Sequence, residues 1–294
     1  MAVNRRRYQA YDGVLTPGAA RFAVVVRYAA RELFESRVFQ ALFILTFVPV
    51  VAAFAQVYLN HNPAARALLN MRPDLFAIGN QFFFRVISIQ SVLALVLAAW
   101  AGPGLIAPDL AGGALPLYLS RPLSRPQYLL GKMATILGLL SAVTWVPGLL
   151  LFALEAGLTG GSWFWDNGWI ARAVFLGAGM WIALLAFTVV TCSVWVRWRI
   201  AAMGLFIGVF TVGQAAGRML GRMFESDWGR LLDVNYLVTT VWWDLFRLQR
   251  PLRSPRGMPQ GDLPWWSAWL VIALVCALCV WILDRRLRAR EVVR

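Results

Sequence analysis

Residues 86–106 read VISIQSVLALVLAAWAGPGLI and contain no Asp, Glu, Lys or Arg. An uncharged helix of about 20 residues is long enough to cross the roughly 30 Å hydrocarbon core of a bilayer. Five further segments of similar length also lack these four residue types: 38–59, 133–154, 173–196, 200–217 and 265–283. The pattern predicts an all-α integral membrane protein with six transmembrane helices, and Pro49 and Pro147 predict kinks in the first and third.

The composition agrees with a membrane protein. Hydrophobic residues make up 60% of the chain and charged residues 14%, whereas soluble domains carry about 25% charged residues. The formal charge is +14, but the basic residues stand in short clusters at the ends of apolar segments. A nucleic-acid-binding protein needs a contiguous basic face. We therefore expect membrane lipids as partners, and no nucleic acid.

A basic tail at 1–16 precedes a segment with helical spacing of apolar residues at 17–37. Thr16 and Pro17 are typical of a helix start. The apolar side of 17–37 predicts a helix that lies in the membrane interface. An ordinary cytoplasmic helix that packs on the chain's own loops is the alternative.

The distribution of cations predicts the orientation, because cytoplasmic loops are rich in Lys and Arg. The N-terminal segment, the loop between the second and third spans, the turn at 197–199 and the tail at 284–294 are all basic. They share one side only if both termini are cytoplasmic and six helices span the membrane. One membrane domain at 1–294 then accounts for the chain.

Residues 219–264 form the largest predicted outer segment. They carry six arginines, which long segments tolerate on the outer side. Within them, 235–246 (NYLVTTVWWDLF) is apolar but only about half the length of a span. We expect an outer interfacial or re-entrant helix there, and the segment is a candidate contact for an extracytoplasmic partner.

The chain has no catalytic motif that we can identify. Gly131-Lys132 is not a phosphate-binding loop, because Pro126 replaces the first glycine of GxxxxGK and Met133 replaces its Ser or Thr. No ionisable residue lies at the centre of a span, where an ion-coupling site is expected. Three charged residues stand at the predicted outer ends of spans, either as snorkelling anchors or as an ion pair or outer gate: Arg85, Glu155 and Arg172. Energy for uphill transport would have to come from a partner.

Residues 108–132, PDLAGGALPLYLSRPLSRPQYLLGK, form the loop between the second and third spans. Its middle is short and apolar, and a stiff cationic turn, SRPLSR at 120–125, follows. Such a segment suits docking into an acidic-rimmed groove of a partner. A loop whose arginines only set the topology is equally compatible with these residues.

The same loop resembles the signature of ABC-2 type transporter permeases, which commonly reads E…GTLELLLSRPVSR…GK. The matching positions are Asp109, Gly113, Leu115, Ser120, Arg121, Pro122, Ser124, Arg125, Gly131 and Lys132. Two positions depart from it: Ala114 replaces Thr, and Pro116 replaces an acidic residue. The interfacial helix, the six spans and the large outer segment are similar to the family over the full length.

The resemblance implies the membrane permease subunit of an ABC transporter in a bacterial inner membrane. Two copies would form a dimer, each engaging a separate cytoplasmic ATPase that binds ATP and Mg²⁺, with no cofactor in this chain and export as the expected direction. The implied coupling roles are ATPase contact by Arg121 and Arg125, apolar docking by Leu117, Tyr118 and Leu119, stiffening by Pro122, and anchoring of the loop by Asp109 and Lys132. Ser120 and Gly113 belong to the same motif. Independently of the resemblance, Ser124 with Pro126 is typical of a helix start for the third span. The alternative is a membrane scaffold of an envelope machine through which no cargo passes, and the substrate is not specified.

Overall fold

The computed structural model describes residues 21–64, 78–112, 125–196, 198–224, 227–249 and 263–289. The regular structure in these ranges is helical. The helices are α1 (Arg21–Glu35), α2 (Arg37–Leu45), α3 (Val48–His61), α4 (Asn80–Ala111), α5 (Arg125–Val143), α6 (Trp145–Thr159), α7 (Gly161–Trp195), α8 (Arg199–Met223), a 3₁₀ helix (Asp227–Leu232), α9 (Val234–Leu245) and α10 (Trp265–Ala289).

Six helical segments in the described part of the chain are long and apolar enough to cross a membrane. They are Arg37–His61, Asn80–Asp109, Pro126–Thr159, Gly161–Trp195, Arg199–Met223 and Trp265–Arg286. This confirms the predicted all-α integral membrane fold. Five predicted spans fall wholly within one of these segments, and the span at 173–196 extends one residue beyond its segment, to Val196. The single-domain organisation stays a prediction, and the predicted tail at 1–16 lies outside the described residues.

The first and third segments are each broken near the predicted proline. α2 ends at Leu45, and α3 begins at Val48 with Pro49 in its first turn. α5 ends at Val143 and α6 begins two residues later, shortly before Pro147. Proline has no N–H group to donate to the preceding turn, so a helix interruption just before it costs little.

α7 is the central helix of the bundle. It packs against α4, α5, α6, α8, α9 and α10, and 67% of its most apolar stretch is buried, against 22% in the first and fifth segments. Two buried indole N–H groups connect it to its neighbours. Trp181 donates to the backbone oxygen of Ser91 at 3.1 Å, and Trp242 donates to that of Gly177 at 3.0 Å.

α1 packs along α5. Ala29 and Leu33 are buried on one side of α1, while Tyr28 is exposed on the other. This amphipathic helix precedes the first span, as predicted, but its partner within the chain is a membrane-spanning helix rather than a loop. Ser36 ends it, and its hydroxyl accepts a hydrogen bond from Phe39 N at 3.4 Å to cap α2.

The 3₁₀ helix and α9 fold back on α8 through glycines. A Cβ added at Gly213 would lie 2.8 Å from the backbone oxygen of Leu232, and one at Gly217 would lie 2.9 Å from the backbone nitrogen of Asp233. Because only glycine permits such an approach, Gly213 and Gly217 allow this close packing. A Cβ at Gly204 or Gly208 meets nothing within 4 Å.

Residues 155–170, which lie between the third and fourth predicted spans, are helical at every position except Gly160. α6 continues to Thr159, and α7 begins at Gly161. Gly160 alone makes the turn, with φ of 117°, a conformation that favours glycine. The two spans therefore form a tight helical hairpin.

Candidate functional site

Asp109, Tyr128 and Lys132 form a hydrogen-bonded ion pair where α4 ends and α5 begins. Lys132 Nζ lies 2.8 Å from Asp109 Oδ2, and the Tyr128 hydroxyl donates to the same oxygen at 2.7 Å. Nζ also lies 5.7 Å from the centroid of the Tyr128 ring. We call these three residues the Asp109–Lys132 cluster.

The local sequence explains the arrangement. Tyr128 and Lys132 are four residues apart on α5, so they share one face of the helix. Asp109 stands in the last turn of α4, which ends at Ala111 with Gly112 as the C-cap. The cluster therefore connects the two helix ends on either side of the segment 113–124.

The cluster is largely shielded from water. The side chains of Lys132 and Asp109 are 3% and 17% exposed. A buried charge is costly unless it is paired and hydrogen-bonded, so Lys132 depends on Asp109. Separating the two helix ends would leave this ammonium unpaired.

Lys132 is also the single lysine among the 28 cationic residues of the chain. Lysine carries a compact ammonium, whereas the guanidinium of arginine is planar and bulkier. A buried position shared with an aromatic ring and one carboxylate oxygen suits the smaller group. This gives a physical reason for lysine in a chain that otherwise uses arginine.

Gly131, next to Lys132, forms the contact between α5 and α1. A Cβ at Gly131 would lie 2.8 Å from Val25 Cβ and 3.2 Å from the backbone oxygen of Phe22. The Gly-Lys pair of the motif therefore holds two neighbours at once. Its glycine packs on α1, and its lysine binds the end of α4.

The remaining predicted coupling residues are placed as follows. Arg125 begins α5, and its side chain is outside the described part of the chain. Eight residues lie outside the described residues altogether: Gly113, Leu117, Tyr118, Leu119, Ser120, Arg121, Pro122 and Ser124. The coupling role of the whole set stays a prediction. Tyr128 was missed by sequence reasoning, although its spacing of four residues from Lys132 was a usable signal.

A second polar cluster lies where α3 and α6 end. His61 Nε2 is 3.7 Å from Glu155 Oε1 and 3.1 Å from Thr159 Oγ1, while the Thr159 hydroxyl lies 3.0 Å from Glu155 Oε1. The side chain of Glu155 is 5% exposed, so the interpretation of Glu155 as a snorkelling anchor is wrong. Among the described residues, no group of three or more His, Cys, Asp or Glu side chains is placed to hold a metal ion.

The family assignment rests on a match that extends over most of the chain. A family model described as ABC-2 family transporter protein matches residues 23–283. The chain belongs to the ABC-2 transporter family. The resemblance inferred from the loop at 108–132 is thereby confirmed. A comparison with curated proteins finds no match.

An ABC-2 protein is the membrane permease component of an ABC transporter, and membership of the family implies an ABC ATPase as partner. The chain is therefore a multi-pass ABC-2 permease. The match includes both helix ends of the Asp109–Lys132 cluster and the segment between them. The region that joins α4 to α5 is thus the candidate functional site of this ABC-2 permease.

Proposed function

We propose that the protein exports a substrate across a bacterial cytoplasmic membrane, driven by ATP that a separate cytoplasmic ATPase hydrolyses. The ATPase docks on residues 113–124, and both termini face it. The observation that supports this proposal is the Asp109–Lys132 cluster, which ties together the two helices that flank the docking segment.

The Asp109–Lys132 cluster lets residues 113–124, the docking segment, transmit movement to the helices on either side. A flexible loop absorbs a push by bending, but a loop whose two ends are held together passes the push to both helices. The 2.8 Å ion pair holds the end of α4 against α5. Both helices pack directly on the central helix α7, so movement at 113–124 reaches the middle of the bundle.

α1 belongs to the same moving unit. It contacts α5 at Gly131, one residue before the lysine of the cluster. A displacement of α5 therefore also displaces α1. The ATPase would thus shift three helices together, and the pathway would open and close as that unit moves against the rest of the bundle.

Each residue of the docking segment has a distinct proposed role. Arg121 and Arg125 contact acidic groups of the ATPase, and the apolar residues 117–119 dock beside them. Pro122 keeps the turn between them stiff, and Ser124 starts α5. ATP and Mg²⁺ are bound by the ATPase rather than by this chain.

A second copy of the chain completes the pathway in this proposal. The first and fifth membrane segments leave most of their most apolar stretch uncovered, and α8 exposes Ile200 and Val212. Such faces suit lipid or a second transmembrane subunit. Residues 219–264 would then face outside and be available to an extracytoplasmic partner.

The test is co-purification of the ATPase with charge-reversed permease. Arg121→Glu combined with Arg125→Glu should abolish co-purification while the permease stays in the membrane fraction. Arg285→Glu combined with Arg286→Glu is the matched control, because it makes the same charge change at the end of α10 and should retain the ATPase. Unchanged co-purification in the first variant would refute the docking assignment. A complex whose ATP turnover responds to no soluble or lipid candidate would favour the scaffold function.

A further inference from the structure

The cluster of His61, Thr159 and Glu155 joins the first and third membrane segments at their ends. His61 is the last residue of α3, and Thr159 is the last residue of α6. Glu155 lies one turn before Thr159, and its Oε2 atom is buried without a hydrogen-bond partner in the described part of the chain. The cluster is therefore an incompletely satisfied polar site.

One ring nitrogen of His61 has an assignable role. His61 Nδ1 lies 3.1 Å from the backbone oxygen of Val57. A carbonyl oxygen can only accept, so Nδ1 must carry a hydrogen and donate it. In the neutral ring, Nε2 is then an acceptor, and it faces the Thr159 hydroxyl at 3.1 Å.

The hydroxyl has one hydrogen for two acceptors. It can donate either to His61 Nε2 or to Glu155 Oε1, which lies 3.0 Å away. The other contact is then between two lone pairs. One extra proton completes both contacts, and it can sit at either end. If it is on Nε2, the imidazolium donates to the Thr159 hydroxyl, which donates to the Glu155 carboxylate. If it is on Glu155, the carboxylic acid donates to the hydroxyl, which donates to Nε2 of the neutral imidazole.

We propose that His61, Thr159 and Glu155 form a proton-binding site that fastens the end of the first membrane segment to the end of the third. The proton comes from solvent and forms one N–H or O–H bond, and no other bond changes. When the proton leaves, one of the two contacts with Thr159 is lost. The joined helix ends therefore hold this proton more tightly than the separated ends do, and acid strengthens the junction.

The neighbouring helices contribute charges to this end of the bundle without competing for the site. α4 carries Arg85, and α7 carries Asp166 and Arg172. In the described part of the chain none of these three forms an ion pair within 4 Å of His61 or Glu155, and His61, which is charged only when protonated, lies 3.7 Å from Glu155 Oε1. The site is a property of this chain alone, independent of the ATPase and of the proposed direction of transport.

The first test compares melting temperatures of the detergent-solubilised protein at about pH 6 and about pH 8, the range in which an imidazole ordinarily changes charge. Wild type should melt at a higher temperature in acid. Glu155→Gln and Thr159→Val, both close in shape to the residues they replace, should lose most of that pH-dependent shift. Asp166→Asn is the control, because it removes an exposed carboxylate at the same end of the bundle, and it should behave as wild type. An equal pH-dependent shift in wild type and Glu155→Gln would overturn the proposal.

The second test needs no variant. The chain contains a single histidine, so labelling of histidine with ¹⁵N gives the signals of one imidazole. At about pH 8 the neutral ring should carry its hydrogen on Nδ1, because the partner of each ring nitrogen sets the tautomer. A neutral ring with its hydrogen on Nε2 would overturn the proposal, since Nε2 could then not accept from Thr159.

Discussion

Replacing Asp109 by Asn removes one charge from the Asp109–Lys132 cluster with little change of shape. The amide oxygen still accepts from Tyr128, but the ammonium of Lys132, 3% exposed, loses its counter-charge. Removing one partner of a buried ion pair costs about 3–5 kcal/mol. Asp109 is 17% exposed, so water reaches the pair from that side, and we expect a loss near the lower end, about 3 kcal/mol.

The companion variants test the reasoning. Lys132→Met leaves Asp109 charged, but that carboxylate is the more exposed partner and keeps the hydrogen bond from Tyr128, so the loss should be smaller. The double variant leaves no charge buried and should be more stable than Asp109→Asn alone. Double-mutant cycles measure this coupling directly.

The assay heats the detergent-solubilised protein to a series of temperatures and measures, by size-exclusion chromatography, the fraction that stays folded at each. With an unfolding entropy of about 2.1 cal/mol/K per residue over 294 residues, a loss of about 3 kcal/mol corresponds to a fall in the apparent melting temperature of roughly 5 °C. Two results would contradict a buried, coupled ion pair between Asp109 and Lys132. One is an unchanged melting temperature for Asp109→Asn, and the other is a double variant whose loss equals the sum of the two single losses.

Three further predictions concern α5, α8 and α9. Gly131→Ala places a methyl group 2.8 Å from Val25 of α1 and should speed hydrogen exchange in α1. Gly138→Ala on the same helix is the control: its methyl group meets nothing within 4 Å, so hydrogen exchange in α1 should stay as in wild type. Gly217→Ala should lower the melting temperature because its methyl group meets backbone at 2.9 Å, whereas Gly208→Ala should leave the isolated chain as stable as wild type; equal losses would contradict the packing. Burial raises the pKa of Asp233, so the folded protein keeps the proton on this carboxyl group to a higher pH than the unfolded chain does. Protonated Asp233 therefore stabilises the folded protein in acid, and this stabilisation is lost as pH rises through the folded pKa. Asp233→Asn, which keeps an N-cap acceptor, should reduce this pH dependence of unfolding, and an unaltered dependence would contradict the assignment.

The membrane-spanning helices could be predicted from the sequence because their signal is local. About 20 uncharged residues in a row specify a spanning helix whatever its neighbours are. The interruptions before Pro49 and Pro147 were predictable for the same reason, since proline disrupts the turn that precedes it. The bounds were less accurate where polar residues stay helical, as in the first turns of α7.

The contacts between helices could not be predicted, because they depend on how the helices pack. Nothing in the sequence connects His61 with Glu155, which are 94 positions apart. Four glycines recur along α8, and the sequence does not distinguish Gly213 and Gly217, which pack closely on backbone, from Gly204 and Gly208, which are open. Asp109 and Lys132 were singled out through the family motif, but their direct ion pair is visible only in the structure.

The proposed drive of this permease by an ATPase through residues 113–124 can be tested by measuring ATP turnover of the reconstituted complex. Wild-type or variant permease is purified and reconstituted in liposomes, the ATPase is purified separately and added, and the hydrolysis rate is compared with that of the ATPase alone. We predict that wild-type permease changes the rate and that Arg121→Glu combined with Arg125→Glu, added at the same concentration, returns it to the rate of the ATPase alone. Equal rates with wild-type permease, with the charge-reversed variant and without permease would contradict the account.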